Sequence, residues 1–313
     1  MNTDAFRGRL HAVLRSDAVR EGETLAPYTT FHVGGPADWC VTVTTPDELQ
    51  AVIAVAHECE IPVTVLGGGS NVLIADEGIR GVVIRPHLTS IHQPSPDRVR
   101  ADAGVTINGL VRWTVSHGLA SLEAWAGTPG TVGGAIYGNA HYGGRNIGDL
   151  VRQVEVLSAA GESSVVPASD LGFAYDTSRL QTTREILVWA EFGVTKASPE
   201  ALRAVARKSL HHRKQTQPLA LPSAGCLFQN PDPARDPVPA GMPASAGALI
   251  DAAGMKGFRV GGAMISVVHA NFVVNDRSAC AADVRALAAA ARTAVRERFG
   301  VDLRDEVVYL GRF

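Results

Sequence analysis

The chain has 313 residues, 46% hydrophobic and 19% charged, which is typical of a globular protein with a sizeable core. Its formal net charge is −2 and no block of like charge stands out, so nucleic acid and membrane surfaces are not expected as main partners. The sequence shows no signal-peptide pattern and no apolar run of membrane-spanning length, and its four cysteines include no CxxC pair. These features predict a cytoplasmic protein without a zinc or disulfide scaffold.

The first part of the chain alternates predicted helices and strands. Thr45–Glu48 reads as a capping box with proline at the first helical position, which predicts a helix reaching about Cys59. A buried strand is expected over 61–66, followed directly by a glycine loop, and another strand over 81–85. The pattern predicts a small βαβ-like unit, with a subdomain joint in the turn-rich segment 86–96.

The rest of the chain is predicted to combine helices with an antiparallel sheet. The expected elements are helices over 106–117, 199–214 and 281–299, longer strands over 99–103, 151–158, 186–194 and 306–310, and short strands near Leu227, Met264 and Phe272. Residues 126–144 are too rich in glycine and too poor in periodicity to predict a helix or a strand. The proline-rich run 232–243 is expected to be a surface loop.

The first glycine-rich segment, 67–71, directly follows a predicted strand. Its glycines allow backbone amides to approach a diphosphate closely, and Ser70 and Asn71 add side-chain donors. A simple tight turn is the alternative interpretation. The dinucleotide fingerprint GxGxxG is not matched, which disfavours an ordinary Rossmann cofactor site.

The second glycine-rich segment, 127–135, contains five residues that are glycine or proline. Ordering such a loop costs much conformational entropy, so a ligand that requires bare backbone explains it better than a purely structural loop. Two such segments in one chain predict a dinucleotide held from two sides.

These two segments and several others resemble the UDP-N-acetylenolpyruvoylglucosamine reductase family, in the right order and over nearly the whole chain. The other motifs are Tyr28–Gly35, Asn139, Ser223–Pro231, His269–Asn275 and the terminal Glu306–Val307. The resemblance, which is to the shorter of the family's two forms, implies an α+β chain. It implies an FAD-binding fold of the vanillyl-alcohol-oxidase type in two subdomains, 1–86 and 87–198, and a C-terminal substrate domain, 199–313.

The family's reaction implies that NADPH reduces a non-covalently bound FAD. The flavin then reduces the enolpyruvyl group of a UDP-sugar, giving UDP-N-acetylmuramate. A small molecule is therefore the expected partner, and a monomer is favoured. The residues expected to bind FAD are Tyr28, Gly67, Gly68, Gly69, Ser70, Asn71, Gly127, Thr128, Pro129, Gly130, Thr131, Gly133, Gly134 and Ala135.

Two residues are candidates for the catalytic chemistry. Cys226 occupies the position of the family's proton donor, commonly serine and in some members cysteine. Residue type alone favours a buried packing residue there, and the surrounding motif reverses that preference. Glu306 matches the family's second catalytic residue, which acts on the substrate carboxylate. By itself, Glu306 would be read first as a surface carboxylate at the start of an edge strand.

One family position is a departure. The family usually shows Tyr-Arg-x-Ser, with the arginine contacting the substrate carboxylate, whereas this chain has Asp176 after Tyr175. A carboxylate cannot do a cation's work. We hypothesise that Arg179, three residues on, supplies the guanidinium, and a surface arginine is the alternative.

The resemblance also implies contacts to the UDP-sugar from Tyr175, Lys214, Gln229 and Asn230. Lys214 ends a basic cluster near a helix terminus, where cations are favoured by the helix dipole alone. The adjacent histidines of that cluster do not share a helix face, so we predict no metal site.

Two rival functions remain open from the sequence. One is another FAD oxidoreductase of the same fold, such as an oxidase that attaches FAD covalently through a histidine. The other is a non-catalytic relative that binds a flavin or nucleotide, a possibility motivated by Asp176.

Overall fold

The structure is a computed structural model that describes residues 3–313. These residues separate into two compact units. Unit 1 takes the described residues up to 23, then 37–68 and 80–212. Unit 2 takes 24–36, 69–79 and 213–313, so two early segments of the chain are built into the C-terminal part.

The helices begin largely where capping residues allow. At the second helix, the Thr45 hydroxyl accepts a hydrogen bond from the Glu48 N–H at 3.1 Å, and the Glu48 carboxylate accepts one from the Thr44 N–H at 2.6 Å. The helices are α1 (Thr3–Val13), α2 (Pro46–Glu58), α3 (Ile107–Ser116), α4 (Val132–Tyr137), α5 (Leu180–Thr183), α6 (Pro199–Thr216), α7 (Ala246–Ala252) and α8 (Ala281–Phe299).

The strands of the first half are β1 (Val19–Thr24), β2 (Pro36–Val43), β3 (Val63–Val65), β4 (Val72–Ile74), β5 (Ile79–Pro86), β6 (Ile91–Ser95), β7 (Arg98–Asp102), β8 (Leu119–Ala120), β9 (His141–Tyr142) and β10 (Arg145–Asn146). Those of the second half are β11 (Val151–Leu157), β12 (Ser163–Pro167), β13 (Ile186–Gly193), β14 (Thr195–Lys196), β15 (Arg259–Val260), β16 (Ala263–Ile265), β17 (Val273–Asn275) and β18 (Val308–Leu310).

Unit 1 is built on two sheets. The four-stranded sheet has the order β1-β2-β5-β3, with β3 and β5 parallel, and it packs in one core with α1 and α2. The five-stranded sheet has the order β12-β11-β13-β7-β6 and is antiparallel throughout. Its core includes apolar residues of α3 and α4. The antiparallel pairing predicted for 151–158 and 186–194 is therefore confirmed.

Unit 2 has a core of its own around α7 and α8. The sheet β15-β16-β17 and the parallel pair β4-β18 belong to it. The early segments are tied in by specific bonds, since the Asp76 carboxylate accepts hydrogen bonds from the N–H groups of Ala281 and Ala282 at 2.7 and 3.0 Å. Asp76 thus caps α8 from a distant part of the sequence, which favours the helix electrostatically.

The glycine-rich segment 126–144 departs from the prediction. It was expected to contain no regular element, yet it contains α4 and β9, and β9 pairs with β10 directly after the segment. Glycine disfavours helix, but Thr131 caps α4, with its hydroxyl accepting from the Gly134 N–H at 3.4 Å. Val132 and Ile136 are fully buried, so packing supplies the stability that propensity lacks.

Two further predictions concern a short strand and a domain boundary. The segment near Leu227 makes isolated β-bridges at Cys226 and Phe228 instead of a strand. The proposed subdomain joint after Pro86 lies inside unit 1, so the boundary there stays a prediction. No helix within residues 3–313 is long and apolar enough to cross a membrane.

Candidate active site

In unit 1 the two glycine-rich segments meet with their backbones in contact. A Cβ atom on Gly68 would lie 2.8 Å from the Cα of Gly130, and one on Gly67 would lie 2.5 Å from the Thr131 hydroxyl oxygen. Both distances are too short for a side chain, so this approach requires glycine. The sequence separated these segments by about sixty residues, and the structure brings them together as the predicted two-sided arrangement requires.

The second segment is held open by residues outside it. Asn108 on α3 accepts a hydrogen bond from the Gly127 N–H at 2.7 Å and donates one to the Thr128 carbonyl at 3.2 Å. The N–H of Ile107 donates to the Gly130 carbonyl at 3.0 Å. Gly127 and Gly130 have φ angles of +85° and +96°, which residues other than glycine rarely adopt. The loop therefore keeps its shape through backbone bonds and one amide side chain.

Two further contacts set the ends of this loop. On α6, the Ser209 hydroxyl donates to the Ala124 carbonyl at 2.7 Å. At the other end, the Gly133 N–H donates to the Ala103 carbonyl at 2.8 Å, and a Cβ on Gly133 would lie 3.2 Å from that oxygen. The result is a rigid cradle lined by bare backbone, which fits a phosphate-bearing cofactor.

In unit 2, the predicted FAD contact Tyr28 lies against the glycine that follows this cradle. A Cβ on Gly69 would lie 2.2 Å from the Tyr28 carbonyl oxygen, and the Thr30 N–H donates to the Gly69 carbonyl at 3.0 Å. Asn71, another predicted FAD contact, directs its amide to the Glu306 carbonyl at 3.1 Å. The glycine segment is thereby linked to the backbone that carries a predicted catalytic residue.

Cys226 and Glu306 lie on neighbouring backbone segments of unit 2. The Glu306 N–H donates to the Leu227 carbonyl at 2.9 Å, and the Leu227 N–H donates to the Asn271 carbonyl at 2.7 Å. Cys226 follows Gly225, whose φ is +83°. Both Cys226 and Glu306 are half-buried, as acid–base groups that must reach a ligand would be. Residues eighty apart in the sequence are thus brought onto one small patch.

The buried side chain of Asn271 organises this patch. Its Oδ1 accepts from the Phe228 N–H at 3.0 Å and its Nδ2 donates to the Phe228 carbonyl at 2.7 Å, so it acts as a substitute strand partner. The Asn271 N–H donates to Nδ1 of His269 at 3.2 Å. Burial, together with the charge of Lys256, lowers the pKa of His269, which keeps that ring neutral and able to accept this bond.

The segment that carries Glu306 is anchored at its preceding residue. Asp305 pairs with Arg292 at 2.6 Å, and the Tyr309 hydroxyl lies 3.4 Å from the same carboxylate oxygen. Burial first, and the charge of Asp305 second, raise the pKa of Tyr309 to about 12, so this phenol remains a neutral donor. These contacts hold the backbone on which Glu306 is presented.

The segment that departs from the family pattern forms a tight turn in unit 1. Residues 174–177 close it by mutual backbone hydrogen bonds of 3.1 and 3.3 Å, with Tyr175 and Asp176 at the tip. The Ser178 hydroxyl donates to the Tyr137 carbonyl at 2.8 Å, at the end of α4. Tyr175, a predicted substrate contact, is 45% exposed and is available to a ligand.

Arg179 has a defined partner. Its Nε and Nη2 donate to the two oxygens of Glu185 at 2.9 and 2.6 Å, and its Nη1 lies 3.3 Å from the Asp170 carbonyl oxygen. Burial alone would raise the pKa of Glu185, but the hydrogen bonds from Arg179 and Thr183 and the charge of Arg179 hold it below its ordinary value. The substrate role of Arg179 stays a prediction, and this pairing counts against it.

The other three predicted substrate contacts are Lys214, Gln229 and Asn230. Lys214 is exposed on α6, and Gln229 is half-buried, with its N–H donating to the Arg304 carbonyl at 2.9 Å. The Asn230 side chain accepts from the Ala246 N–H at 3.1 Å, which begins α7. Within residues 3–313, no group of three or more His, Cys, Asp or Glu side chains could hold a metal ion.

Three asparagines that hold these segments in place were not predicted as site residues. They are Asn108, Asn271 and Asn139, and the Asn139 amide donates to the Ala174 carbonyl at 2.7 Å. Asn139 and Asn271 stood inside recognisable motifs, which was a usable signal. Asn108 carried no signal, since it is an isolated polar residue on a predicted helix. Their importance follows from the backbone groups they satisfy, and only a folded structure shows those groups.

Comparison with known proteins agrees with this arrangement. Residues 37–166 match the family described as FAD binding domain, and residues 217–310 match the C-terminal domain of UDP-N-acetylenolpyruvoylglucosamine reductase. The reductase of Geotalea uraniireducens is 39% identical over 310 residues, covering 99% of both chains. That of a Synechococcus strain is 37% identical over 97% of both chains.

Solved structures extend the comparison. The crystal structure of the reductase from Thermus caldophilus has a TM-score of 0.77 and 34% identity, covering 92% of this chain and 98% of that one. The grass pollen allergen Phl p 4, a glucose dehydrogenase, has a TM-score of 0.50 and 15% identity over 62% of this chain and 44% of its own, which shows the fold alone. The expected α+β chain with an FAD-binding fold of the vanillyl-alcohol-oxidase type is confirmed.

Proposed function

The chain belongs to the UDP-N-acetylenolpyruvoylglucosamine reductase family and is an FAD-dependent oxidoreductase, and from this we propose that it reduces UDP-N-acetylenolpyruvoylglucosamine to UDP-N-acetylmuramate. NADPH is the proposed hydride donor, and the proposed setting is peptidoglycan precursor synthesis in the cytoplasm. The observation that carries the proposal is the adjacency of Cys226 and Glu306 on bonded backbone segments of unit 2.

The backbone cradle, formed by Gly67, Gly68 and the segment 127–135, is proposed as the part of the chain that would hold the cofactor's diphosphate. Bound there, FAD would supply two-electron redox chemistry, with NADPH as the proposed hydride source. The chain's own contribution is shape, because a Cβ on Gly68 would lie only 2.8 Å from the Gly130 Cα, so the two segments leave no room for a side chain there. Tyr28, packed on Gly69, is proposed to contact the cofactor beside the cradle.

In this reaction the protein must stabilise negative charge on the substrate carboxylate and deliver one proton to carbon. When hydride adds to the terminal carbon of the enolpyruvyl group, the double-bond electrons move to the neighbouring carbon and into the carboxylate. The Cys226 thiol is proposed to give its proton to that carbon, and solvent later reprotonates the sulfur. Glu306 is proposed to act on the carboxylate, where negative charge builds in the transition state.

Four predicted residues are proposed to bind the substrate. Tyr175 offers an exposed aromatic ring, and Lys214 offers an exposed ammonium suited to a diphosphate. Gln229 and Asn230 follow Cys226 closely in the chain and are proposed to contact the sugar nucleotide near the reacting group. A cation for the carboxylate is also needed, and Arg179 would have to give up Glu185 to provide it.

Anaerobic half-reactions test the proposal. The purified protein is mixed first with NADPH and then with UDP-N-acetylenolpyruvoylglucosamine, while the flavin absorbance is followed. Bleaching by NADPH and its reversal by the sugar nucleotide are expected. Flavin that NADPH cannot reduce would indicate a non-catalytic relative, and flavin that stays in the pellet on acid precipitation would indicate a covalent flavin oxidase.

A further inference from the structure

A histidine and an aspartate form a pair in unit 1 that none of the roles above uses. Nδ1 of His141 lies 3.0 Å from the Asp176 carboxylate, and the rings of His141 and Tyr175 are 5.0 Å apart. His141 begins β9, the first strand of the short hairpin after α4. The tip of the 174–177 turn is therefore packed against this hairpin by a specific polar contact.

The pair is firmly placed. Asp176 has a φ of +55°, and its carbonyl accepts a hydrogen bond from the Gln181 amide at 2.9 Å. Beneath the turn, the buried Asn139 donates to the Ala174 carbonyl at 2.7 Å and accepts from the Gly148 N–H at 3.0 Å. A non-glycine residue in this backbone region is held only where its surroundings determine it.

The pair is also near the cofactor cradle. The Ser178 and Gln181 side chains both donate to the Tyr137 carbonyl, at 2.8 and 3.0 Å. Tyr137 is the last residue of the six-residue helix α4, and Thr131, which caps the other end, belongs to the cradle. At 1.5 Å per residue, the turn is anchored about 9 Å from Thr131 along the helix axis, at the residue two positions after the cradle ends. The pair also lies beside Tyr175, the exposed residue proposed to contact the substrate.

His141 and Asp176 differ in solvent exposure. The Asp176 side chain is 11% exposed, whereas that of His141 is 30% exposed. A carboxylate can only accept, so Nδ1 of His141 carries the proton of this contact. Nε2 then donates to a ligand when the ring is protonated, and the ring is in that state a cation stabilised by Asp176. The aspartate orients, and the histidine touches the ligand.

We propose that protonated His141, oriented by Asp176, is the cation that binds the substrate carboxylate in this chain. The inference rests on the proposed function, and it follows from the His141–Asp176 contact on the turn beside the cradle. Charge that builds on the carboxylate during hydride addition strengthens this hydrogen bond, so the contact stabilises the transition state more than the ground state. His141 is then a catalytic residue and Asp176 a positioning residue.

The first test follows the two half-reactions in His141→Ala. Flavin reduction by NADPH should match wild type, and flavin reoxidation by UDP-N-acetylenolpyruvoylglucosamine should slow between roughly 10- and 100-fold, the loss expected for a charge-assisted hydrogen bond. Asp176→Asn should lose less, roughly threefold to tenfold, because the neutral amide still accepts from Nδ1. His57→Ala, which alters an exposed histidine at the end of α2, is the matched control.

A rescue separates catalysis from packing. The double variant His141→Ala with Asp176→Arg places a guanidinium on the turn tip, and it should recover at least part of the lost reoxidation rate. Loss in His141→Ala without any recovery in the double variant would indicate a structural role and overturn the proposal. Equal reoxidation rates in His141→Ala and wild type would overturn it as well.

Binding supplies a readout that does not depend on turnover. Perturbation of the oxidised flavin spectrum measures the affinity for the enolpyruvyl sugar nucleotide and for UDP-N-acetylglucosamine, which lacks the carboxylate. His141→Ala should weaken only the first, and equal weakening of both would contradict the proposal. Failure of the proposed function appears differently, because wild-type flavin would then not be reoxidised by the enolpyruvyl substrate at all.

Discussion

The cofactor cradle in unit 1 and the catalytic patch in unit 2 are built on opposite physical rules. The cradle depends on the absence of side chains, since a single Cβ on Gly68 would meet the Gly130 backbone at 2.8 Å. The patch depends on the presence of one side chain, since Asn271 satisfies both backbone groups of the buried Phe228. Adding atoms to the cradle should therefore weaken cofactor binding, and removing atoms from the patch should destabilise the fold around Phe228.

Cys226→Ala gives the largest expected effect and addresses the patch directly. FAD binding and flavin reduction by NADPH should be unchanged, because no cradle residue is altered. Reoxidation by the enolpyruvyl substrate should slow by at least ~100-fold, as expected for a lost general acid. Stopped-flow absorbance measures both steps. Cys226→Ser should keep substantial activity, and wild-type turnover in Cys226→Ala would show that the proton comes from elsewhere.

Asn271→Ala sharpens the comparison by deleting atoms from the patch. The variant leaves the N–H and carbonyl of buried Phe228 without their partner, which should lower the free energy of unfolding by about 2–3 kcal/mol. Urea unfolding, followed by circular dichroism, measures the change. Gln50→Ala, which removes the bond from an exposed amide to the Gly161 carbonyl, should cost less. Equal losses in the two variants would contradict the special position of Asn271.

Gly68→Ala tests the cradle by adding one methyl group. Gly68 has no positive φ, so the variant introduces crowding without backbone strain. Forcing the two segments apart should cost about 1–3 kcal/mol, which corresponds to a loss of FAD affinity of roughly fivefold to 150-fold. Flavin fluorescence on dilution measures the dissociation. Gly8→Ala is the control, because a Cβ there meets nothing within 4 Å, and full FAD retention in Gly68→Ala would remove Gly68 from the site.

Arg179→Ala gives the smallest expected effect, about 1 kcal/mol of unfolding free energy for a partly exposed ion pair. The pKa of Glu185 is lowered in the folded state, so its contribution is present above the unfolded pKa and is lost as the pH falls through the folded value. The stability difference between wild type and Arg179→Ala should therefore shrink between pH 7 and pH 3. Urea unfolding at both pH values measures it.

The same variant bears on the substrate cation. If substrate-dependent reoxidation fell in Arg179→Ala as far as in His141→Ala, the guanidinium would have to leave Glu185 during catalysis. The role proposed for His141 would then be shared. If the difference in unfolding free energy between wild type and Arg179→Ala did not shrink at acid pH, the Glu185 carboxylate would contribute nothing to that difference.

The sequence by itself was sufficient for elements with strong local signals. The helix after Thr45 and the helix before Gly300 appeared as predicted, because capping residues and a left-handed glycine act within a few residues of the helix end. The motifs were equally informative about family, since their order along the chain is a property of the sequence. They also indicated two glycine segments that require bare backbone.

Tertiary structure decided everything that depends on distant partners. The short helix within 126–144 exists because Val132 and Ile136 are buried, which no local propensity signals. The roles of Asn108 and Asn271 depend on backbone groups that folding brings to them. The partners of Arg179 and Asp176 were likewise invisible in the sequence, because an ion pair forms between side chains that meet in space, and the fold alone selected Glu185 for one and His141 for the other.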